Sequence, residues 1–163
     1  MPPVTGQTRV NLSVLDRLID LDPDSREEVA PSQTRTLREL KDALWRDLNA
    51  LLNTRRKEHP MALEFEQCNT SLLVFGLPDF TPLSLRSTGD QKRLGLAIET
   101  AIQTFEPRLS GVSVTAETRN ELDPVLRFRV EALLEIEPAP EAISFNTVLE
   151  GDTGRFLVTG QKK

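Results

Sequence analysis

The period of the apolar residues changes along this chain, and that change limits its possible folds more than any other feature. From Thr34 to about Asn53, leucines recur at the spacing of one helix face. A second helical pattern starts near Gly89 and ends at Phe105. Beyond residue 111, apolar and polar residues alternate instead, which is typical of half-buried strands. Helices followed by strands predict an α+β domain with its helices on one face of a mainly antiparallel sheet.

The alternating region predicts about four strands. A first strand covers Val112–Ala116, after a turn at Ser110 and Gly111. The clearest strand follows, and its apolar face consists of Leu126, Phe128, Val130, Ala132, Leu134 and Ile136. Two more strands, Ser144–Leu149 and Arg155–Thr159, flank a turn at residues 151–154. We expect the last strand to lie at a sheet edge, and short helical turns to join the two long helices.

The first part of the chain differs in composition from the rest. Residues 1–33 predict a short helix with apolar positions at Leu12, Leu15, Leu18 and Ile19, followed by a flexible linker. A helix of about two turns is not stable alone in water, so this stripe must dock on its own domain or on a neighbour. Residues 34–163 predict a single α+β domain.

Composition excludes several classes of protein. The chain has one cysteine, Cys68, and one histidine, His59, so we expect neither an internal disulfide nor a metal site. The net charge of -5 comes from interspersed signs, which argues against nucleic-acid binding. No apolar run approaches the roughly 20 residues that span a bilayer, and the first residues do not have the pattern of a signal peptide. We therefore predict a cytoplasmic protein without membrane insertion.

We find no set of residues that predicts catalysis or cofactor binding. His59 has no nucleophile motif to serve, and Cys68 is interpreted as an inert thiol in a loop. Glu64 and Glu66 could share one face of an extended segment, as the two carboxylates of a glycosidase would. A solvated strand face explains them more simply, so we predict that the protein is not an enzyme.

The junction of the second helix with the first strand carries an unusual charge arrangement, Glu106-Pro107-Arg108. Pro107 ends the helix at Glu106, where the helix dipole disfavours a carboxylate by roughly 0.3–1 kcal/mol. Glu106 should therefore have a cationic partner. With Pro107 extended, Glu106 and Arg108 project to the same side. Such a pair could dock against a charged surface of a partner or form an internal salt bridge at the corner.

In this helix–strand setting, the Glu-Pro-Arg element resembles the baseplate wedge proteins of contractile injection machines. The resemblance is greatest to the TssE family of the bacterial type VI secretion system. Further blocks fit the same family in order along nearly the whole chain. They cover residues 12–18, 46–56, 71–80, 145–149 and 154–156.

This resemblance implies a non-enzymatic structural protein whose fold is like the handshake module of the contractile sheath. It implies the TssF and TssG wedge subunits and the TssB/TssC sheath as partners, together with TssK and the VgrG spike. Through the baseplate, the protein would be associated with the membrane-anchored secretion apparatus. An exposed edge strand would be completed by a sheath strand. The residues implied for partner binding are Glu106, Pro107, Arg108, Leu15, Asp16, Arg17, Leu18, Arg155 and Phe156.

Two other functions stay open on the sequence alone. The chain could be a wedge protein of a phage-tail baseplate. It could also be a regulatory binding protein similar in fold to this family, like the anti-adaptor that shields a stress sigma factor from proteolysis. Phage relatives of the family have carried a lysozyme label, which the isolated carboxylates discussed above do not support.

Overall fold

Two long helices are followed by a four-stranded sheet in the computed structural model. It describes residue 18 and residues 33–57, 65–84, 86–117, 125–151 and 153–160. The elements in chain order are α1 (Gln33–Asn53), two short 3₁₀ helices (Glu66–Thr70 and Leu72–Val74), α2 (Thr88–Phe105), β1 (Leu109–Glu117), β2 (Leu126–Leu134), β3 (Glu141–Leu149) and β4 (Phe156–Gly160). The α+β fold class is confirmed. No helix in this part of the chain is long and apolar enough to span a membrane.

The sheet is fully antiparallel, with the spatial order β1-β2-β3-β4. The strands β1 and β4 therefore form its two edges, as expected for the last strand. The alternation predicted for β2 is confirmed from Leu126 to Leu134, whereas Ile136, predicted on the same face, lies beyond the end of the strand. Its buried side chains are those of Leu126, Phe128, Val130, Ala132 and Leu134.

Both helices lie against the sheet and share one core with it. The leucine stripe of α1 supplies Leu44, Leu48 and Leu52, each with no exposed surface. The side chain of Trp45 lies at the border of this core, where its ring meets that of Phe145 at a centroid distance of 4.9 Å. The position of Trp45 at the core edge follows from its place next to the leucine stripe.

The start of α2 is determined by local side-chain chemistry. The hydroxyl of Ser87 accepts a hydrogen bond from the Asp90 N–H at 3.3 Å and caps the first turn. The shorter 3₁₀ helix has the same arrangement, because the Ser71 hydroxyl accepts from the Leu73 N–H. Both starts agree with the sequence pattern.

Three local predictions were wrong. The turn predicted at Ser110 and Gly111 is part of β1, where Gly111 (φ +59°) lies in a bulge between Ser110 and Ser113. A glycine with positive φ is typical of a bulge as well as of a turn, so the sequence did not distinguish them. The strand β3 begins at Glu141 rather than Ser144, because Leu134 of the neighbouring strand pairs with Glu141.

The third correction concerns the segment before Ser71. Cys68 lies in the first 3₁₀ helix instead of a loop, and Glu66 begins that helix instead of an extended segment. The 3₁₀ bonds include the Cys68 N–H to Phe65 carbonyl contact at 3.0 Å. No periodic pattern of so short an element would be visible in the sequence. His59 and Glu64 lie outside the described residues.

Candidate partner-binding site

The Glu-Pro-Arg element forms the corner between α2 and β1. Glu106 is the C-cap of α2, and its N–H donates to the Ile102 carbonyl at 2.9 Å. Its own carbonyl accepts from the Leu109 N–H at 3.1 Å, so β1 starts immediately. Pro107 between them is exposed. The corner therefore reverses the chain within three residues while both main-chain groups of Glu106 stay hydrogen-bonded.

The side chains of Glu106 and Arg108 form a two-pronged ion pair across this corner. Arg108 Nε donates to Glu106 Oε1 at 2.6 Å, and Arg108 Nη2 donates to Glu106 Oε2 at 2.5 Å. The Arg108 N–H adds a third bond to Oε1 at 3.2 Å. The Glu106 side chain is 6% exposed and that of Arg108 21% exposed. The expectations that Glu106 has a cationic partner and that both side chains point the same way are confirmed.

A third charged residue joins this pair from α1. Arg108 Nη2 also donates to Asp47 Oδ2 at 2.7 Å, and Asp47 Oδ1 lies 3.1 Å from Arg46 Nη2. The hydrogen bond to Glu106 raises the pKa of Arg108 above its usual value, burial opposes this, and Asp47 adds to the rise. The guanidinium is charged, as arginine side chains are in proteins. It connects α1, α2 and β1 at one point.

Internal pairing is thus the arrangement found at the corner. Because the fork of Arg108 faces Glu106, the exposed member of the element is Pro107, with the half-buried Arg108 and Asp47 beside it. The binding of a partner by Glu106, Pro107 and Arg108 stays a prediction, and any such contact would have to use this outer side.

The other two predicted binding segments lie elsewhere. Phe156 is 1% exposed, and its ring meets that of Phe80 at 5.6 Å, so it belongs to the core; Arg155 next to it is exposed. Leu15, Asp16 and Arg17 lie outside the described residues. Leu18 is helical and 75% exposed. The predicted site residues that the structure describes therefore come from the helix–strand corner, from the start of β4 and from Leu18.

Sequence reasoning missed Asn53, which binds the main chain of the edge strand β4. Its amide Nδ2 donates to the Phe156 carbonyl at 2.8 Å, and its Oδ1 accepts from the Phe156 N–H at 3.0 Å. The two residues are 103 positions apart in the sequence. The sequence offered one sign of this contact. Asn53 is the last residue of α1, and it lies within a block that resembles the wedge family.

A groove of about 510 Å³ with both polar and apolar lining residues lies between α2 and the 3₁₀ helices. Val74, Leu96 and Phe105 contribute to its lining. Leu96 is 62% exposed, and Leu72 in the neighbouring 3₁₀ helix is 84% exposed. Single exposed apolar side chains are common on protein surfaces, so these two residues do not by themselves mark a contact site.

The described residues contain no group of three or more His, Cys, Asp and Glu residues that could hold a metal ion. What this part of the chain offers is main-chain edges, an ion-paired corner and apolar surface. An exposed sheet edge is one of the surfaces to which an extended segment of another protein can add a strand.

Comparison with known proteins gives the family. Residues 38–139 match the family model of baseplate wedge protein gp25. Because this match spans more than half of the chain, the protein belongs to that family. The resemblance to TssE and its relatives is confirmed, and the family assignment gives the protein a structural role in a baseplate.

No curated protein matches the chain. Among solved structures, one chain of the baseplate complex from the type VI secretion system is 18% identical to this chain, with a TM-score of 0.47. The alignment covers 69% of this chain and 96% of that chain. The family assignment depends on the sequence match alone.

Proposed function

We propose that this protein is a non-enzymatic wedge component of a type VI secretion baseplate and connects the wedge to the contractile sheath. It would act in the cytoplasm, bound to TssF and TssG on one side and to the TssB/TssC sheath on the other. TssK and the VgrG spike would belong to the same assembly. The family match over residues 38–139 is the observation on which this proposal depends.

The corner supports the wedge contact. Glu106, Arg108, Asp47 and Arg46 bring two negative and two positive charges together, so the corner has no net charge. Removing charges from water costs less free energy when they are already paired than when they are isolated. We therefore expect Pro107 and the outer sides of Arg108 and Asp47 to lie against the wedge subunits. The exposed Leu18 and its neighbours Leu15, Asp16 and Arg17 would add a second wedge contact.

The edge strand β4 supports the sheath contact. A strand at a sheet edge presents unpaired N–H and C=O groups that a strand from another subunit can complete. About four new hydrogen bonds at 0.5–1.5 kcal/mol each give only about 2–6 kcal/mol before the entropy of association is subtracted. One contact would be weak, and a ring of wedges holding one sheath would be firm.

Co-purification with tagged TssF–TssG tests the wedge contact. The wild-type protein should remain bound through size-exclusion chromatography, and Pro107→Glu should reduce the bound fraction at least tenfold. This substitution places a charge at the exposed position without removing the Glu106–Arg108 bonds, and circular dichroism should show an unchanged fold. Arg93→Glu on the exposed side of α2 is the matched control and should bind normally. A wild-type protein that does not bind TssF–TssG would refute the proposal.

A further inference from the structure

Side chains from the two helices bond to different parts of the two sheet edges. On β1, a carboxylate oxygen of Glu99 accepts a hydrogen bond from the Val114 N–H at 3.2 Å. The Gln103 amide donates to the Val112 carbonyl at 3.4 Å. Both side chains come from α2, and both main-chain groups point away from β2. The middle of this edge is therefore already occupied by side chains.

On β4, side chains of the α1 end occupy the first part of the edge. The Asn53 amide bonds to both the N–H and the C=O of Phe156, which point outward from the sheet. Arg55 Nη2 donates to the Gly154 carbonyl at 2.6 Å. In an antiparallel ladder, outward-facing residues alternate. Val158 and Gly160 therefore present their N–H and C=O groups on the same side as Phe156. Among the described residues, no side chain bonds to these groups of Val158.

We propose that strand addition is confined to Val158–Gly160, with Asn53 as the stop that fixes the register of the incoming strand. This inference rests on the proposed function, since it specifies how the sheath strand would bind. An incoming strand cannot pair beyond Val158 towards Phe156 without displacing the Asn53 amide. Glu99 and Gln103 keep a second strand from adding to β1. A strand from another subunit can therefore be added to this sheet only at β4.

The occupant is an extended segment of a sheath subunit, which binds Val158 and Gly160 through main-chain hydrogen bonds.

Amide hydrogen exchange of the full-length ¹⁵N-labelled protein, alone and with the TssB/TssC sheath, tests this inference. The Val158 amide should exchange rapidly in the free protein and at least tenfold more slowly in the complex. The Val114 and Phe156 amides should be protected in both states. Sheath binding without added protection at Val158 would overturn the inference and leave the proposed function standing. A wild-type protein that binds no sheath would instead count against the proposed function.

Two variants complete the test. Val158→Pro removes the outward N–H and should weaken sheath binding at least tenfold, with TssF–TssG binding unchanged; Val158→Thr keeps the N–H and should bind normally. The double variant Glu99→Ala, Gln103→Ala should begin to self-associate through the freed β1 edge, measured by analytical ultracentrifugation. A double variant that remains as monomeric as the wild type would overturn the assigned role of these two side chains.

Discussion

Glu106 and Arg108 form an ion pair with two hydrogen bonds of 2.6 and 2.5 Å across a single proline. The pair closes the corner between α2 and β1, and Asp47 attaches it to α1. Parallel bonds between a carboxylate and a guanidinium fix orientation as well as distance. The corner on which the wedge contact is proposed is thus rigid before any partner arrives.

Removing the Glu106 carboxylate should destabilise the fold. We expect Glu106→Ala to lower the free energy of unfolding by about 2–4 kcal/mol, because it removes both Glu106 bonds from the half-buried guanidinium of Arg108. Glu106→Gln keeps the shape and should cost about 1–2 kcal/mol. Urea denaturation followed by Trp45 fluorescence measures both. As a control, Arg38→Ala removes a 4.0 Å pair with Asp42 that is 84% and 69% exposed, and should change stability by less than about 0.5 kcal/mol. Equal effects of Glu106→Ala and Arg38→Ala would contradict a structural role for the corner.

Asn53 should hold the beginning of β4 in place. Asn53→Ala removes two hydrogen bonds to the Phe156 main chain and should lower the free energy of unfolding by about 1–3 kcal/mol. Exchange of the Phe156 amide should accelerate at the same time. Asn49→Ala removes only the 3.1 Å bond from Asn53 Nδ2 to Asn49 Oδ1 and keeps Asn53 itself, so its effect should be clearly smaller. Unchanged exchange at Phe156 in Asn53→Ala would show that other contacts hold this strand.

Gly76 should not tolerate a side chain. Its φ is +103°, and an added Cβ would lie 2.3 Å from the carbonyl oxygen of Thr54. That oxygen accepts the Leu77 N–H at 2.8 Å, so the clash would break the bridge between the α1 end and the segment before α2. Gly76→Ala should cost about 2–4 kcal/mol. Gly89→Ala in the first turn of α2 meets nothing closer than 3.7 Å and should be neutral or stabilising. Thermal melts of the two variants compare them directly, and similar melting temperatures would be inconsistent with the geometry at Gly76.

Asp79 should contribute to the loss of stability in acid. A hydrogen bond from the Thr81 N–H at 2.9 Å lowers the pKa of its carboxyl below the usual value. A carboxyl whose pKa is lower in the folded state adds stability above its unfolded pKa of about 4 and loses it as pH falls through the folded value. The free energy of unfolding, measured between pH 6 and pH 3, should therefore decline less steeply for Asp79→Asn than for the wild type. Superimposable pH profiles would exclude this contribution.

The repeating elements could be predicted from the sequence because each has a period of its own. The leucine stripe of α1 and the alternation of β2 gave the helix, the strand and their buried faces. The corner could be predicted in part, since a carboxylate at a helix C-terminus needs a cation and Arg108 was two residues away. The third partner could not, because Asp47 lies 61 positions away on another helix.

The edge contacts were beyond sequence reasoning for the same reason. Asn53 with Phe156, and Glu99 with Val114, meet only when the helices have docked on the sheet. Their residue types occur at many exposed helix positions, so no local pattern distinguishes them. The 3₁₀ helix at Glu66–Thr70 was missed because five residues carry no period.

The most direct test of the account is whether this protein links wedge to sheath. Tagged TssG with TssF should be incubated with the TssB/TssC sheath in the presence and absence of the purified protein, and the captured sheath quantified. We predict that sheath is captured only when the protein is present, and that Val158→Pro reduces capture at least tenfold although it still binds TssF–TssG. Equal capture of sheath without the protein would contradict the central claim.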